Sequence, residues 1–164
     1  MTFRISWIGL IFLLGTIGPN LIWTRNKPED YEKYVGRESN MLRALERTGE
    51  TMVTCTALIF ASGQPLLPLT LRSLWLAGAV ALMVMYELFW LRYFRSSKTM
   101  ADFYSSFLAV PVAGAVLPVA AFALLAVYDR NLLLGISVLV LGIGHIGIHL
   151  QHAREVARGI DPEE

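Results

Sequence analysis

Long apolar runs alternate with short polar segments along this chain. The runs occupy residues 5–23, 73–94, 107–127 and 131–150. A helix needs about 20 apolar residues to cross the roughly 30 Å hydrocarbon core of a bilayer, and each run has about that length. The pattern therefore predicts four membrane-spanning helices, of which the last continues to about residue 156. Pro111 and Pro118 fall inside the third run and are expected to bend that helix.

A fifth, shorter apolar run, "TMVTCTALIFAS", covers residues 51–62 and ends before Gly-Gln-Pro. Extending it backward through "MLRALERTGE" starts a helix just after Ser39, a residue type that favours the N-cap position. The first turns of this helix, 40–62, would lie in the membrane interface. The sequence thus predicts an all-α integral membrane bundle of five transmembrane helices, one domain over residues 1–164, with a loop at 24–39.

Lysine and arginine are divided unequally between the two sides that five spans create. Three lie on the side of the N-terminus, and eleven lie on the side of loops 24–50 and 92–106 and of the C-terminal segment. Short loops rich in these residues stay in the cytoplasm. The N-terminus is therefore predicted outside, and the C-terminus and loop 24–39 inside, in a cytoplasmic (inner) membrane.

The composition agrees with a bilayer as the solvent. Hydrophobic residues make up 55% of the 164 positions and charged residues only 16%, where about a quarter is usual. A net charge of +1 offers no concentrated basic surface, which argues against nucleic-acid binding. The expected partner is the lipid bilayer, with a homo-oligomer or a membrane partner protein as further alternatives. The single cysteine, Cys55, has no partner for an internal disulfide.

Polar residues gather at the predicted cytoplasmic ends of the helices. The predicted ligand-binding residues are Glu87, His145, Glu50, Arg47 and Asn20. A carboxylate among lipid tails is costly unless it is paired, so Glu87 is expected to face the bundle interior. Glu87 and His145 lie at similar heights on parallel helices, and a hydrogen bond between them is possible if the two helices touch. A structural ion pair of Arg47 with Glu50, one helical turn apart, is the alternative explanation of the polar stripe on the second helix.

The three histidines, His145, His149 and His152, follow one face of the last helix. His145 and His149 have the spacing that lets two imidazoles bind one Zn²⁺ or Cu²⁺, with Glu87 or Glu50 as a further ligand. In the alternative without a metal, His149 and His152 form the wet outer edge of the polar site. Haem ligation normally draws on two helices, which argues against a b-type cytochrome. The pattern identifies no catalytic residue.

Five segments, taken in order, resemble a family of small polytopic membrane proteins of bacteria. They are "GPNLIW" at the end of the first helix, "ALERTGE" in the second, "ELFWLRYF" closing the third, "VPVAGAVLP" in the fourth and "GIGHIG" in the fifth. The resemblance implies a compact helical membrane fold and brings no activity with it. His145 belongs to the pattern, whereas His149 and His152 do not.

Three classes of function fit these features. The first is a protein that binds or transports a proton, a metal ion or a small amphiphile through a cytoplasmic-leaflet site. The second is an accessory or structural subunit of a membrane complex, and the third is a membrane-embedded enzyme. No catalytic constellation such as a nucleophile elbow occurs in the sequence, so binding or transport is the preferred prediction.

Overall fold

We describe the protein from a computed structural model, which covers residues 5–36, 38–59 and 70–159. Within these ranges the chain forms six α-helices, one 3-10 turn at Tyr31–Lys33 and no strand. The helices are α1 (Trp7–Trp23), α2 (Asn40–Ile59), α3 (Ser73–Phe94), α4 (Met100–Tyr104), α5 (Ala113–Asp129) and α6 (Leu132–Arg158). The prediction of an all-α fold is confirmed for this part of the chain.

Four helix starts follow the sequence signals closely. The side chain of Ser6 caps α1 by accepting a hydrogen bond from the Gly9 N–H at 3.0 Å, and Asn131 caps α6 in the same way through the Leu134 N–H. Helices α2 and α3 begin at the predicted residues. The predicted end of the second helix, residues 60–62, lies outside the described residues.

The fourth predicted helix is the exception, because α5 begins at Ala113 and not at residue 107. Pro111 disfavours helical backbone in the residue before it, and residues 107–110 form a turn closed by the Phe107–Val110 bridge. Leu108 and Ala109 have positive φ. Pro111 therefore precedes the helix, and Pro118 alone of the two prolines lies within it. The sequence prediction was wrong on this boundary.

The short helix α4 was not predicted. Thr99 and Asp102 form a capping box at its start: the Thr99 side chain accepts from the Asp102 N–H at 3.0 Å, and the Asp102 carboxylate accepts from the Thr99 N–H at 3.1 Å. The signal Thr-x-x-Asp was present in a segment read as a loop. This helix packs against the end of α6 that carries the histidines.

Helices α2 and α6 form the most extensive helix pair, and α5 packs against both α3 and α6. Two glycines let the backbones of α2 and α6 approach closely. A Cβ on Gly144 would lie 2.3 Å from the Glu46 backbone nitrogen, and one on Gly49 would lie 2.4 Å from the Leu141 Cα. Gly144 of the last helix thus admits a second backbone.

Long-range hydrogen bonds define two ends of the bundle. At one end the Ser6 N–H donates to the Leu58 carbonyl at 2.8 Å, and the Asn131 side chain donates to the Thr56 carbonyl at 3.2 Å. At the other end the Tyr93 hydroxyl donates to the Asn26 carbonyl at 2.9 Å. The segments predicted to be cytoplasmic, loop 24–39, the region around α4 and the end of α6, thus gather at this second end.

The surface is apolar over much of α1, α3 and α6. The exposed large hydrophobic residues of α1 and α6 include Trp7, Ile11, Leu14, Leu21, Leu132, Ile136, Leu139 and Ile143. The buried residues include the polar side chains of Ser6, Asn131, Ser137 and His152. By length and composition, α3 and α6 could each cross a membrane, and α1 and α5 are shorter apolar helices.

Candidate functional site

A cleft of about 510 Å³ opens between α1 and α2. The two helices are in contact near Gly9 and Ala57, and the cleft separates them toward the other end of α1. Apolar side chains form most of its wall, among them Leu13, Val53 and Phe122. The cleft thus has an apolar body.

Three of the five predicted site residues, Asn20, Glu50 and His145, line this cleft. The Asn20 amide donates to the Tyr86 hydroxyl at 3.0 Å, which ties α1 to α3 at this level. Arg47 and Glu87 are not among the lining residues, and both are exposed. The polar end of the cleft is therefore built from side chains of α1, α2 and α6 and from the Tyr86 hydroxyl of α3, without the Glu87 carboxylate.

The prediction that Glu87 faces the bundle interior was wrong, and Glu87 does not form the possible hydrogen bond with His145. Helix α5 packs against both α3 and α6, and the Glu87 carboxylate lies on an exposed face beside Gly15 of α1. The His145 Nδ1 is instead 2.6 Å from the Glu46 carboxylate of α2. Gly144, next to His145, lets the Glu46 backbone approach, and this close approach brings the two side chains together.

His149 and His152 do not form a wet outer edge as predicted. The His149 Nδ1 is 3.1 Å from the Tyr104 hydroxyl of α4, and His152 is only 5% exposed. His152 lies 3.2 Å from the Glu38 carboxylate and 3.6 Å from that of Glu155. The cause is tertiary, because α4 and the residues before α2 cover this end of α6.

The metal alternative gains no support from this arrangement. The His145 and His149 ring centroids are 4.6 Å apart, in an edge-to-face orientation, and the Nδ1 of His145 faces Glu46. Among the described residues, no three His, Cys, Asp or Glu side chains are grouped so that they could hold a metal ion. The two histidines therefore lack the further ligand that the metal interpretation required.

A second cavity, of about 230 Å³, adjoins the cleft. We call it the aromatic cavity, because its wall includes the rings of Trp23, Tyr31, Trp90, Phe103 and Tyr104. Both cavities share Asn20, Trp90, Phe103 and His149 as lining residues. The charged side chains of its wall are Glu38, Glu46 and Arg43.

Loop 24–39 and the segment around α4 hold the aromatic cavity together. The Met100 N–H donates to the Asp30 carboxylate at 2.8 Å, and the Lys98 ammonium donates to the Asn26 side chain at 2.9 Å. The Glu29 N–H donates to the Lys98 carbonyl at 3.0 Å. The sequence does not reveal this cavity, because residues of loop 24–39 and of the segment around α4, far apart in the chain, complete its wall.

Acidic groups set the electrostatic potential of the aromatic cavity. Burial, and then the charges of Glu38, Glu32 and Glu46, raise the pKa of the Tyr31 phenol. Burial also raises the pKa of the Glu38 carboxyl, but backbone hydrogen bonds, including one from the Gly36 N–H, and the charges of His152 and Arg43 outweigh it and hold that pKa below its usual value. Glu38 is therefore ionised at neutral pH.

Comparisons of the chain with protein-family models, curated proteins and solved structures found no match. The resemblance to a family of bacterial membrane proteins stays a prediction.

Proposed function

We propose that this chain is a five-span protein of a bacterial inner membrane that binds or transports a small amphiphile. The observation that carries the proposal is the cleft between α1 and α2. Its body is apolar, and Asn20, Glu50 and His145 are polar groups in its wall. A molecule with a hydrocarbon tail and a polar head is complementary to such a cleft, since burial of the tail drives binding and the polar groups orient the head.

The membrane assignment is supported by the exposed apolar side chains of α1, α3 and α6. Large contiguous apolar surfaces are rare on soluble monomers. The 17 residues of α1 and of α5 correspond to helices of about 26 Å, at the short end of the range for a span. Helix α2, with charged residues in its first half, would serve as the fifth span. The unequal division of Lys and Arg supports the orientation with the N-terminus outside.

The exposed residues of the cleft wall suggest how an amphiphile enters. Ile17 and Leu21 of α1 and Thr54 of α2 line the cleft and are exposed. An opening between two helices of a membrane bundle faces the lipid, so a tail could enter sideways from the leaflet while its head stays at the polar level. Of the cargoes that the sequence leaves open, this route favours an amphiphile over a proton or a metal ion.

A second candidate function, that of an accessory subunit of a membrane complex, is favoured by Glu87. This carboxylate is exposed on α3 beside Gly15, where a lipid-facing charge would be costly without a partner. A helix of a partner protein, or of a second copy of this chain, could supply a hydrogen-bond donor there. A Glu87→Gln variant would then lower the yield of the complex without changing amphiphile binding in the cleft.

Tail binding can be measured by fluorescence quenching of Trp90. This side chain lines the cleft and is 4% exposed, so bulk lipid cannot reach it. In the Trp7→Phe, Trp23→Phe, Trp75→Phe background, reconstituted in nanodiscs, a dodecyl amphiphile brominated at the tail should quench Trp90 saturably. The unbrominated amphiphile should compete with it.

The substitution Ile17→Phe adds volume inside the cleft and should weaken this quenching. Its matched control is Ile11→Phe, which adds the same volume on the outward face of α1, where Ile11 is exposed and does not line the cleft. Quenching that rises linearly with the amphiphile, or that falls equally in both variants, would show that the cleft is not the binding site.

A further inference from the structure

We infer that the aromatic cavity binds an organic ammonium group, so that the amphiphile of the proposed function, on which this inference rests, carries a cationic head. The tail would occupy the cleft, and the ammonium would lie in the aromatic cavity. Asn20 and Trp90 line both spaces, so the molecule would extend past these two side chains. The inference rests on the rings, the charges and the size of this cavity.

Aromatic faces carry partial negative charge and attract cations. Five aromatic side chains line this small space, and several are in mutual contact: the ring centroids of Trp90 and Phe103 are 5.7 Å apart, and those of Phe103 and Tyr104 are 5.1 Å apart. The chain already places one ammonium on two of the rings. The Lys27 Nζ lies 5.7 Å from the centroid of Trp23 and 5.0 Å from that of Tyr31.

The charged groups of the cavity wall favour a cation. Glu38 and Glu46 are the carboxylates, and Arg43 is the one guanidinium among the lining residues. Arg43 is exposed and donates to the Asn40 side chain, which holds it at the rim. The two lining histidines contact Tyr104 and Glu38. The wall therefore carries two carboxylates against one guanidinium.

The pKa values of two phenols in the cavity wall are raised by burial and also by the same carboxylates. The charges of Glu38 and Glu46 contribute to the raised pKa of Tyr31, after burial. Burial, and then Tyr31, Glu155 and Glu38, raise the pKa of Tyr104. After burial, the charges of nearby carboxylates thus raise the pKa of two phenols that come from different segments of the wall, and the same charges would attract an ammonium ion.

The volume of the cavity fits a headgroup and not a whole ligand. At about 230 Å³ it is smaller than the roughly 300–1,000 Å³ of pockets that hold entire small molecules. The adjoining cleft, at about 510 Å³, has room for a tail. The head of an amphiphile would therefore fit the aromatic cavity, and its tail would fit the apolar cleft.

Tetramethylammonium tests the headgroup site without a tail. In the Trp7→Phe, Trp75→Phe background, the remaining indoles, Trp23 and Trp90, both line the aromatic cavity. Adding tetramethylammonium chloride in place of sodium chloride, at constant ionic strength, should change their fluorescence saturably. Tyr31→Leu should weaken binding about 3- to 30-fold, because a ring that contacts a partly desolvated cation is lost. Glu38→Gln should weaken it in the same direction.

Two further variants separate the ring from other effects. Tyr31→Phe keeps the aromatic face and should bind within about 3-fold of the parent protein. Tyr34→Leu removes a neighbouring tyrosine that does not line the cavity and should leave binding unchanged. Quenching of Trp90 by a brominated tail, measured in the Tyr31→Leu and Glu38→Gln variants on the Trp90-only background, shows whether they keep the fold of the cleft.

The outcomes distinguish this inference from the proposed function. If tail quenching is saturable but tetramethylammonium does not bind, or if methyl sulfate binds equally well, the cationic head is wrong and the cleft stands. If tetramethylammonium binds but no tail quenches Trp90, the proposed function fails. The aromatic cavity would then be a site for a free cation, and the inference that an amphiphile binds there would be overturned as well.

Discussion

Each histidine of α6 has a different partner. His145 contacts Glu46 of α2, His149 contacts the Tyr104 hydroxyl of α4, and His152 contacts the Glu38 carboxylate. Three imidazoles on one helix face thus connect α6 to three other segments. At the residue scale, the site is therefore defined by contacts across segments and not by the spacing of the histidines along α6.

The Glu46 to His145 contact predicts energetic coupling that Glu87 should lack. The two side chains are 22% and 24% exposed, so we expect Glu46→Gln and His145→Ala to couple by about 0.5–1.5 kcal/mol in unfolding free energy. The matched pair, Glu87→Gln with His145→Ala, should be additive to within about 0.5 kcal/mol, because Glu87 lies on another face. Denaturant unfolding of all variants in one detergent measures both cycles. Coupling at Glu87 and none at Glu46 would contradict the helix arrangement.

Glu38 predicts a pH dependence of stability. Its pKa is lower in the folded chain than its ordinary value of 4.5, so its contribution to stability is fully present above that value and is lost as the pH falls through the folded pKa. The difference in unfolding free energy between the parent protein and Glu38→Gln should therefore shrink as the pH falls below about 4.5. Unfolding curves across this range measure it. A difference that grows as the pH falls below about 4.5 would refute the assignment.

At the element scale, the α2–α6 pair depends on the absence of side chains at two positions. Gly49 meets the backbone of Leu141, and Gly144 meets the backbone of Glu46. Backbone atoms cannot move aside as a flexible side chain can. The same close approach brings Glu46 to His145, so the packing of these helices and the polar end of the cleft are linked.

Gly144→Ala should separate the two helices. Its Cβ would lie 2.3 Å from the Glu46 nitrogen, and we expect a loss of about 1–3 kcal/mol in unfolding free energy from overpacking. The control is Gly135→Ala on the same helix, where a Cβ meets nothing within 4 Å. This change should be neutral or stabilise the protein by up to about 1 kcal/mol, through helix propensity. Equal effects of the two substitutions would contradict the close approach.

At the scale of the whole molecule, large apolar side chains lie on the surface and some polar ones are buried, as is expected for a protein in a bilayer. Large apolar side chains of α1, α3 and α6 are exposed, while His152 and Asn131 are buried. The segments rich in Lys and Arg gather at the end that contains the aromatic cavity. This arrangement supports the proposed orientation, in which the cavity faces the cytoplasm.

The proposed orientation predicts which ends of the molecule are accessible from outside the cell. The native Cys55 is exposed and must first be changed to Ser. In that background, Thr70→Cys and Arg130→Cys should react with a membrane-impermeant maleimide in intact cells. Glu32→Cys and Ser97→Cys should react only after the membrane is opened. The inverse pattern would reverse the topology, and reaction at all four positions in intact cells would exclude it.

Local features of the sequence were sufficient to place most helices. The bounds of α3 agree with its apolar run, and Ser6 and Asn131 cap α1 and α6 as their residue types favour. Run length and capping act within a few residues of the chain, so they can be read without knowing what packs nearby. Local signals were also present at two other places. The capping box at Thr99 marks the start of α4, and Pro111 marks the boundary before α5, where the apolar run suggested a longer helix.

The all-α class, the main helices and three residues of the cleft, Asn20, Glu50 and His145, could be predicted from local patterns in the sequence. The contact of His145 with Glu46, the outward position of Glu87 and the burial of His152 could not, because they depend on tertiary packing. Helical periodicity defines which residues share a face, but not which neighbour covers that face. That choice depends on backbone approach at Gly49 and Gly144 and on contacts between segments far apart in the chain.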